Sequence, residues 1–194
     1  MSEGTLDETD MQVAREYLEM IQTEASRCKS ITARLLDFAR GQDGVRYPQD
    51  LCGIIREVLA LVSHLGKYRN RKIHFECGDE PCIANVNSAE IKQVVLNLVT
   101  NSLESMDPGG VLEIHALARV DDVFVSFKDN GCGMSKEVIE KLFEPFFTKR
   151  KDGKGTGLGL SISHRIVTEH GGTIIPFSEG PGKGSIFQIQ LPRK

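Results

Sequence analysis

The chain has 194 residues, 40% of them hydrophobic, a formal net charge of −3 and a pI near 6.0. That suffices for one compact domain plus an accessory segment, and the mild acidity gives no global attraction to nucleic acid or to an anionic membrane surface. No apolar run approaches the roughly 18 residues that span a bilayer, and the acidic start Ser2-Glu-Gly-Thr-Leu-Asp-Glu8 lacks the basic and apolar regions of a signal peptide. A cytoplasmic chain without direct membrane contact and without a nucleic-acid partner is expected.

The first long segment reads as a helix, opened by a capping box at Thr9 and Gln12 and stopped by Gly41. Met11, Ala14, Leu18, Ile21, Ala25, Cys28, Thr32, Leu35 and Ala39 alternate steps of three and four, a heptad seam. Ile31 and Phe38 widen the stripe and favour a four-helix bundle over a pure zipper. Gly41–Gly44 and Tyr47-Pro48 read as a linker, which divides the chain into a helical segment, 1–46, and a second domain, 47–194. Asp50 then caps an apolar helix running to about Leu65, and strands are expected at 72–76 and 84–86. Asn87 with Glu90 caps a helix to about Met106, followed by strands at 111–118 and 123–127, and a short helix near 135–142. A helix from about Gly157 to His170 and strands near 173–177 and 185–191 complete the order. Helices alternate irregularly with a mixed, mostly antiparallel sheet, so an α+β two-layer sandwich is predicted.

Five cysteines, Cys28, Cys52, Cys77, Cys82 and Cys132, form an odd, scattered set without the paired spacings of a zinc site. Reduced buried thiols are expected. The one pair placed to meet across a turn is Cys77 and Cys82, on either side of Gly78-Asp-Glu-Pro81.

The chemistry concentrates in four segments. On the helix after Asn87, Glu90, Gln93, Asn97, Asn101 and Glu104 fall in one narrow polar sector of an otherwise apolar surface. Such a stripe serves either an interhelical hydrogen-bond network or metal binding, since an amide oxygen is a hard neutral ligand suited to Mg²⁺. Asp129-Asn-Gly-Cys-Gly133 places a carboxylate and two residues without side chains at a strand end. There a flat ring can approach the backbone, and a carboxylate can accept from an exocyclic amine, preferring adenine to guanine. Phe143-Glu-Pro-Phe-Phe147 is an aromatic loop. Lys149–Lys154, a basic run, leads into Gly155-Thr-Gly-Leu-Gly159, which opens a helix whose free N–H groups can face an anion. The glycine spacing fits neither the Walker pattern nor a dinucleotide fold.

In this order the segments closely resemble those of the histidine-kinase branch of the GHKL ATPase superfamily, over about Tyr47–Pro192. Asn97–Asn101 resembles its N box, Asp129–Gly133 its G1 box, Phe143–Phe147 its F box and Gly155–Gly159 its G2 box. Gly182–Phe187 resembles the last glycine segment, which closes the adenine end. The resemblance implies a Bergerat-type sandwich that binds ATP and Mg²⁺, with Asn101 on the metal, and Asn97, Asn101 and Lys149 as the catalytic set. It places Asp129 on the adenine amine and counts Asn97, Asn101, Ser102, Gly131, Gly133, Met134 and Ser185 among the nucleotide-binding residues. Residues 143–156 would form a lid, with Phe147, Thr148, Lys149, Lys154, Gly155, Thr156, Gly157, Leu158 and Gly159 beside the nucleotide.

Two departures stand out. Glu104 occupies a position where many members carry Lys or Arg, as nitrogen-sensor-like members often do not. No histidine precedes His64, and none is followed by an acidic residue as in the phosphoacceptor motif. The helix of Met11–Arg40 resembles the second helix of a dimerisation bundle, so the resemblance implies a homodimeric parent kinase whose acceptor histidine lies outside this chain and whose partner is a response-regulator receiver domain. The alternatives are a GHKL hydrolase, whose branch carries Glu where Asn97 stands, and a degenerate interaction module.

Overall fold

The computed structural model describes residues 11–22, 45–64, 66–148 and 156–193. The chain divides into two compact units, residues 1–42 and 43–194. In the first, residues 11–22 are helical (α1) and exposed, and Met11, Leu18 and Ile21 of the predicted seam lie on this helix. Thr9, the seam from Ala25 to Ala39 and the stop at Gly41 lie outside the described residues.

The second unit begins with a correction. Tyr47-Pro48, read above as linker, belongs to a strand, β1 (Tyr47–Asp50), which pairs antiparallel with β3 (Ile83–Val86) in a separate two-stranded sheet. Proline lacks a donor, and an edge strand of this kind is where it is tolerated. Asp50 ends β1 and caps α2 (Leu51–Ser63), its carboxylate accepting from the N–H groups of Cys52 and Gly53, each at 3.1 Å. Asn87 caps α3 (Ser88–Ser105) in the same way through Ala89 and Glu90. These caps use donors that the first helical turn leaves unpaired.

The main sheet has five strands in the order β2-β4-β5-β7-β6: β2 (Lys72–Cys77), β4 (Val111–Ala118), β5 (Asp122–Asp129), β7 (Ser185–Pro192) and β6 (Thr173–Phe177). Only β2 and β4 run parallel, with Ile73 opposite Leu112; the other pairings are antiparallel. Period-two alternation puts Leu112, Ile114, Val123, Val125, Phe127, Phe187, Ile189 and Leu191 on one buried face. Against them lie Ile55, Val58 and Val62 of α2, Ile91, Val94, Leu98 and Val99 of α3, and Ile162, Ile166 and Val167 of α5 (Gly159–Glu169). The result is the predicted two-layer sandwich, with α4 (Lys136–Lys141) a short surface helix.

His170 ties two helix ends together. It is buried, its Nδ1–H donates to the carbonyl of Ile166 at 2.8 Å, and its Nε2 accepts from the N–H of Asn87 at 3.0 Å. Its place at the end of α5 thus rests on two backbone hydrogen bonds, with the Glu90 carboxylate 3.6 Å from Nε2. No helix among the described residues is long and apolar enough to cross a membrane.

Candidate nucleotide-binding site

Asp129, the last residue of β5, is 5% exposed. Its Oδ1 accepts from the N–H of Gly131 at 2.9 Å, and the hydroxyl of Ser105 lies 3.2 Å away. Ser105 Oγ is also 2.9 Å from the carbonyl of Ser102, so its single proton serves one acceptor at a time. Burial pushes the Asp129 carboxyl above its ordinary range, and the donors from Gly131, Ser105, Ser102 and the Ser185 backbone offset part of that rise. The hydroxyl of Ser102 is buried toward the carboxylate yet makes no well-aligned hydrogen bond among the described residues. A buried carboxylate whose position is fixed by these neighbours, and which keeps acceptor capacity beyond them, suits a ligand amine.

The turn after Asp129 is locked on both sides. A side chain on Gly131 would run into the carbonyl of Ser105, 2.7 Å from where its Cβ would sit. Cys132 N–H donates to that same carbonyl at 2.9 Å, which ties the turn to the end of α3. On the other side Gly182 N–H reaches the carbonyl of Cys132 at 2.7 Å and Gly184 N–H that of Gly131 at 3.1 Å. Gly184 has φ +71° and packs directly on the Asp129 backbone, where a Cβ would overlap the carbonyl oxygen. Ser178 completes this clasp: its hydroxyl meets the Gly184 carbonyl at 2.7 Å and accepts from the N–H of Met134 at 3.0 Å. Ser105 and Ser178 carry no spacing signal in the sequence, and only their positions in the fold reveal them.

The polar stripe of α3 is half-buried, as its spacing predicts, with Ile91, Val94, Val95, Leu98, Val99 and Leu103 buried around it. Its members divide by role. Asn97 Nδ2 donates to the Gly159 carbonyl at 3.2 Å and to Ser163 Oγ at 3.3 Å, which holds α3 against the start of α5. The side chain of Asn101, one turn further on, has no hydrogen-bond partner among the described residues, so its amide oxygen is available to a ligand. Glu104 is engaged, accepting from the hydroxyl of Tyr68 at 3.0 Å. A hard, unengaged oxygen on a half-exposed face fits the donor chemistry of Mg²⁺.

The aromatic loop is anchored at both ends. Phe143 stacks at 4.7 Å on His164 of α5, and Phe146 adopts φ +67° with its N–H donating to the Gly157 carbonyl at 3.0 Å. Phe147 is half-buried and Thr148 exposed. Thr156 and Gly157 lead to the buried Leu158, which precedes the first turn of α5 at Gly159. Lys149, Lys154 and Gly155 lie outside the described residues.

Ser102, Asp129, Gly131 and Ser185 thus meet at the ends of α3, β5 and β7, with Met134 tied to the same clasp through Ser178, while Asn97 and Asn101 stand further back along α3, Asn97 against the start of α5. The structure corrects the cysteines. Cys52 and Cys77 are disulfide-bonded, against the expected reduced state, whereas Cys82 is a buried free thiol and Cys132 an exposed one; Cys77 and Cys82 do lie close together, but the bond is to Cys52, and Cys28 lies outside the described residues. The first turn of α2 lies over the end of β2, a packing that short-range spacing does not encode.

A family model described as histidine kinase-, DNA gyrase B- and HSP90-like ATPase matches residues 86–194. The chain is 34% identical over 178 residues to sporulation kinase E of Bacillus subtilis (strain 168), covering 91% of this chain and 24% of that protein. It is 31% identical over 186 residues to the signal transduction histidine-protein kinase AtoS of Escherichia coli (strain K12), covering 95% of this chain and 30% of that protein. Among solved structures, the catalytic domain of histidine kinase ThkA is similar with a TM-score of 0.69 at 34% identity, over 76% of this chain and 95% of that one. Histidine kinase ThkA in complex with response regulator protein TrrA is similar with a TM-score of 0.77 at 30% identity, over 93% of this chain and 52% of that one. The chain spans 24% and 42% of the lengths of sporulation kinases E and C. The chain belongs to the histidine kinase-, DNA gyrase B- and HSP90-like ATPase family, and its relatives there are sensor histidine kinases.

Proposed function

We propose that this chain is the ATP-binding catalytic region of a two-component sensor histidine kinase. It would transfer the γ-phosphoryl group of ATP to a histidine on a bundle helix, for relay to an aspartate of a response-regulator receiver domain. The observation that carries the reading is the buried Asp129 carboxylate, clasped between two glycine turns at the end of the amide stripe of α3. Asp129 accepts from the adenine amine, the turns at Gly131 and Gly184 fix its carboxylate in place, and the free N–H groups at the start of α5, with Lys149 and Lys154, are assigned to the phosphates. Asn101 holds Mg²⁺, which when bound neutralises charge on the phosphates. The likeness to ThkA, whose complex with a response regulator is known, supports a receiver-domain partner. Pairing of two chains through the α1 seam and a cytoplasmic location belong to the same proposal.

The hydrolase reading is not favoured. At the position where that branch carries a carboxylate, Asn97 is an amide occupied by Gly159 and Ser163, and Glu104 is occupied by Tyr68. A degenerate module is not favoured either, because the turns around Asp129 are intact.

The five histidines of the chain have structural surroundings within the ATP-binding unit. His64 Nδ1 lies 2.6 Å from the Ala60 carbonyl, His115 Nδ1 3.3 Å from Glu76, His164 packs on Phe143, His170 is buried, and His74 stands on β2. With γ-labelled ATP and Mg²⁺ the isolated chain should acquire no acid-labile, base-stable phosphate. Stoichiometric label on any of these histidines contradicts the proposal that the acceptor lies on a bundle helix.

A further inference from the structure

Away from the nucleotide site, the Sγ atoms of Cys52, Cys77 and Cys82 all lie within 4.8 Å of one another. They come from three elements: the first turn of α2, the end of β2 and the segment entering β3. Cys52 and Cys82 are 2% and 0% exposed, and Cys77 is half-buried. The Cα atoms of Cys52 and Cys77 are 6.2 Å apart, within the range a disulfide bridges without backbone movement.

We propose that Cys52, Cys77 and Cys82 form a redox-responsive thiol triad, in which a peroxide reversibly links Cys52 to Cys77 and Cys82 is the neighbouring thiol able to take over the bond. The Cys77 thiol, the one of the three that solvent reaches, loses its proton and its thiolate attacks a peroxide oxygen, breaking the O–O bond; Cys77 is left as a sulfenic acid and the departing hydroxide takes up that proton as water. The Cys52 thiol then attacks the Cys77 sulfur, forming S–S, breaking S–O and releasing a second water with its proton. Two thiols and one hydrogen peroxide thus give one disulfide and two waters. In the exchange step the Cys82 thiolate attacks Cys77, forming a Cys77–Cys82 bond and expelling the Cys52 thiolate, which takes up the proton. Burial and the nearby Asp50 carboxylate raise the Cys82 thiol above its ordinary range, so the thiolate that exchange requires is a minor species and the Cys52–Cys77 bond forms first.

A metal site fits less well. No histidine or carboxylate oxygen joins the three sulfurs among the described residues, whereas structural zinc takes four ligands. The adjacent Asp50 carboxylate is already occupied in capping α2.

The test uses the purified chain, reduced, then treated with hydrogen peroxide, blocked with iodoacetamide and digested with trypsin and Asp-N. Trypsin places Cys52 on residues 47–56 and both other cysteines on 73–92, and cleavage before Asp79 separates Cys77 from Cys82. Oxidation is expected to join Cys52 to Cys77, to be reversed by dithiothreitol, and to raise Tm by about 10 °C, because the bond closes a loop over a sequence separation of 25. In a Cys52→Ala variant, Cys77 should be linked to Cys82 instead; a Cys132→Ser variant should behave as the parent. Singly alkylated cysteines throughout the oxidised parent would overturn the proposal. So would an unlinked Cys77 in a Cys52→Ala chain of native circular dichroism, or one equivalent of zinc in the reduced parent with all three thiols protected from alkylation.

Discussion

Replacing Asp129 by Asn should weaken adenine-nucleotide binding by about 100-fold while leaving Tm at neutral pH unchanged or raised. The two effects separate because the carboxylate serves the ligand at the expense of the fold. Its folded pKa lies above the ordinary value because of burial. A carboxyl shifted in that direction contributes stability below its unfolded pKa, and that contribution is lost as pH rises through the folded pKa. At neutral pH the ionised group therefore opposes folding, and the isosteric amide removes the charge while its oxygen can still accept from Gly131 N–H. For the ligand the loss is a hydrogen bond to a charged acceptor, about 1.5–3 kcal/mol, with an amide donor now facing the adenine amine. Titration calorimetry reads the affinity, and thermal melts from pH 7 down to about 4 read the stability, with any Tm advantage of the variant shrinking as the parent carboxyl protonates. A variant that melts well below the parent at pH 7 would show that the charge holds the turn together and serves no ligand.

Gly184→Ala should cost about 4 kcal/mol, lowering Tm by about 10 °C. Its φ of +71° is a conformation that L side chains rarely adopt, and the added Cβ would overlap the Asp129 carbonyl and sit 3.0 Å from the Asn130 Cα. Neither neighbour is a flexible side chain, so the clasp must open. Gly182→Ala is the control: its φ is also positive, +77°, but a Cβ there meets nothing within 4 Å. It should cost only about 1 kcal/mol, the conformational penalty alone. Equal losses of Tm for the two would mean that backbone conformation, and not the close approach to Asp129, sets the demand for glycine.

The elements that sequence reading located well are those where local signals agree. β-branched and apolar runs bounded by turn residues marked β4 at 111–118 and β6 at 173–177, and Asn87 and Asp50 marked two helix starts through their own side chains. β1 was illegible because Tyr47-Pro48 carries linker chemistry and acquires strand character only by pairing with Val86 and Asn85. The parallel β2–β4 pairing and the Cys52–Cys77 bond are likewise products of long-range packing. In the candidate site, Asp129 and its glycines alone read as an ordinary turn after a strand; they stood out only through their order with the α3 amides, the aromatic loop and the second glycine segment. Ser105 and Ser178 were not legible, since a hydroxyl gains its role only from the partner that folding places beside it. Asn97 and Asn101 looked alike in the stripe; the contacts to Gly159 and Ser163 are what distinguish a packing amide from an available one.

The central claim is that the ends of α3, β5 and β7 form an ATP site completed by Mg²⁺ at Asn101. Calorimetric titration of the chain with a non-hydrolysable ATP analogue, with and without Mg²⁺ and beside an Asn101→Ala variant, tests it most directly. The account predicts binding by the parent that Mg²⁺ strengthens, with the Mg²⁺-dependent part lost in a variant that melts at the parental temperature. A folded parent chain that takes up no nucleotide, or a variant whose Mg²⁺ response matches the parent's, would contradict it.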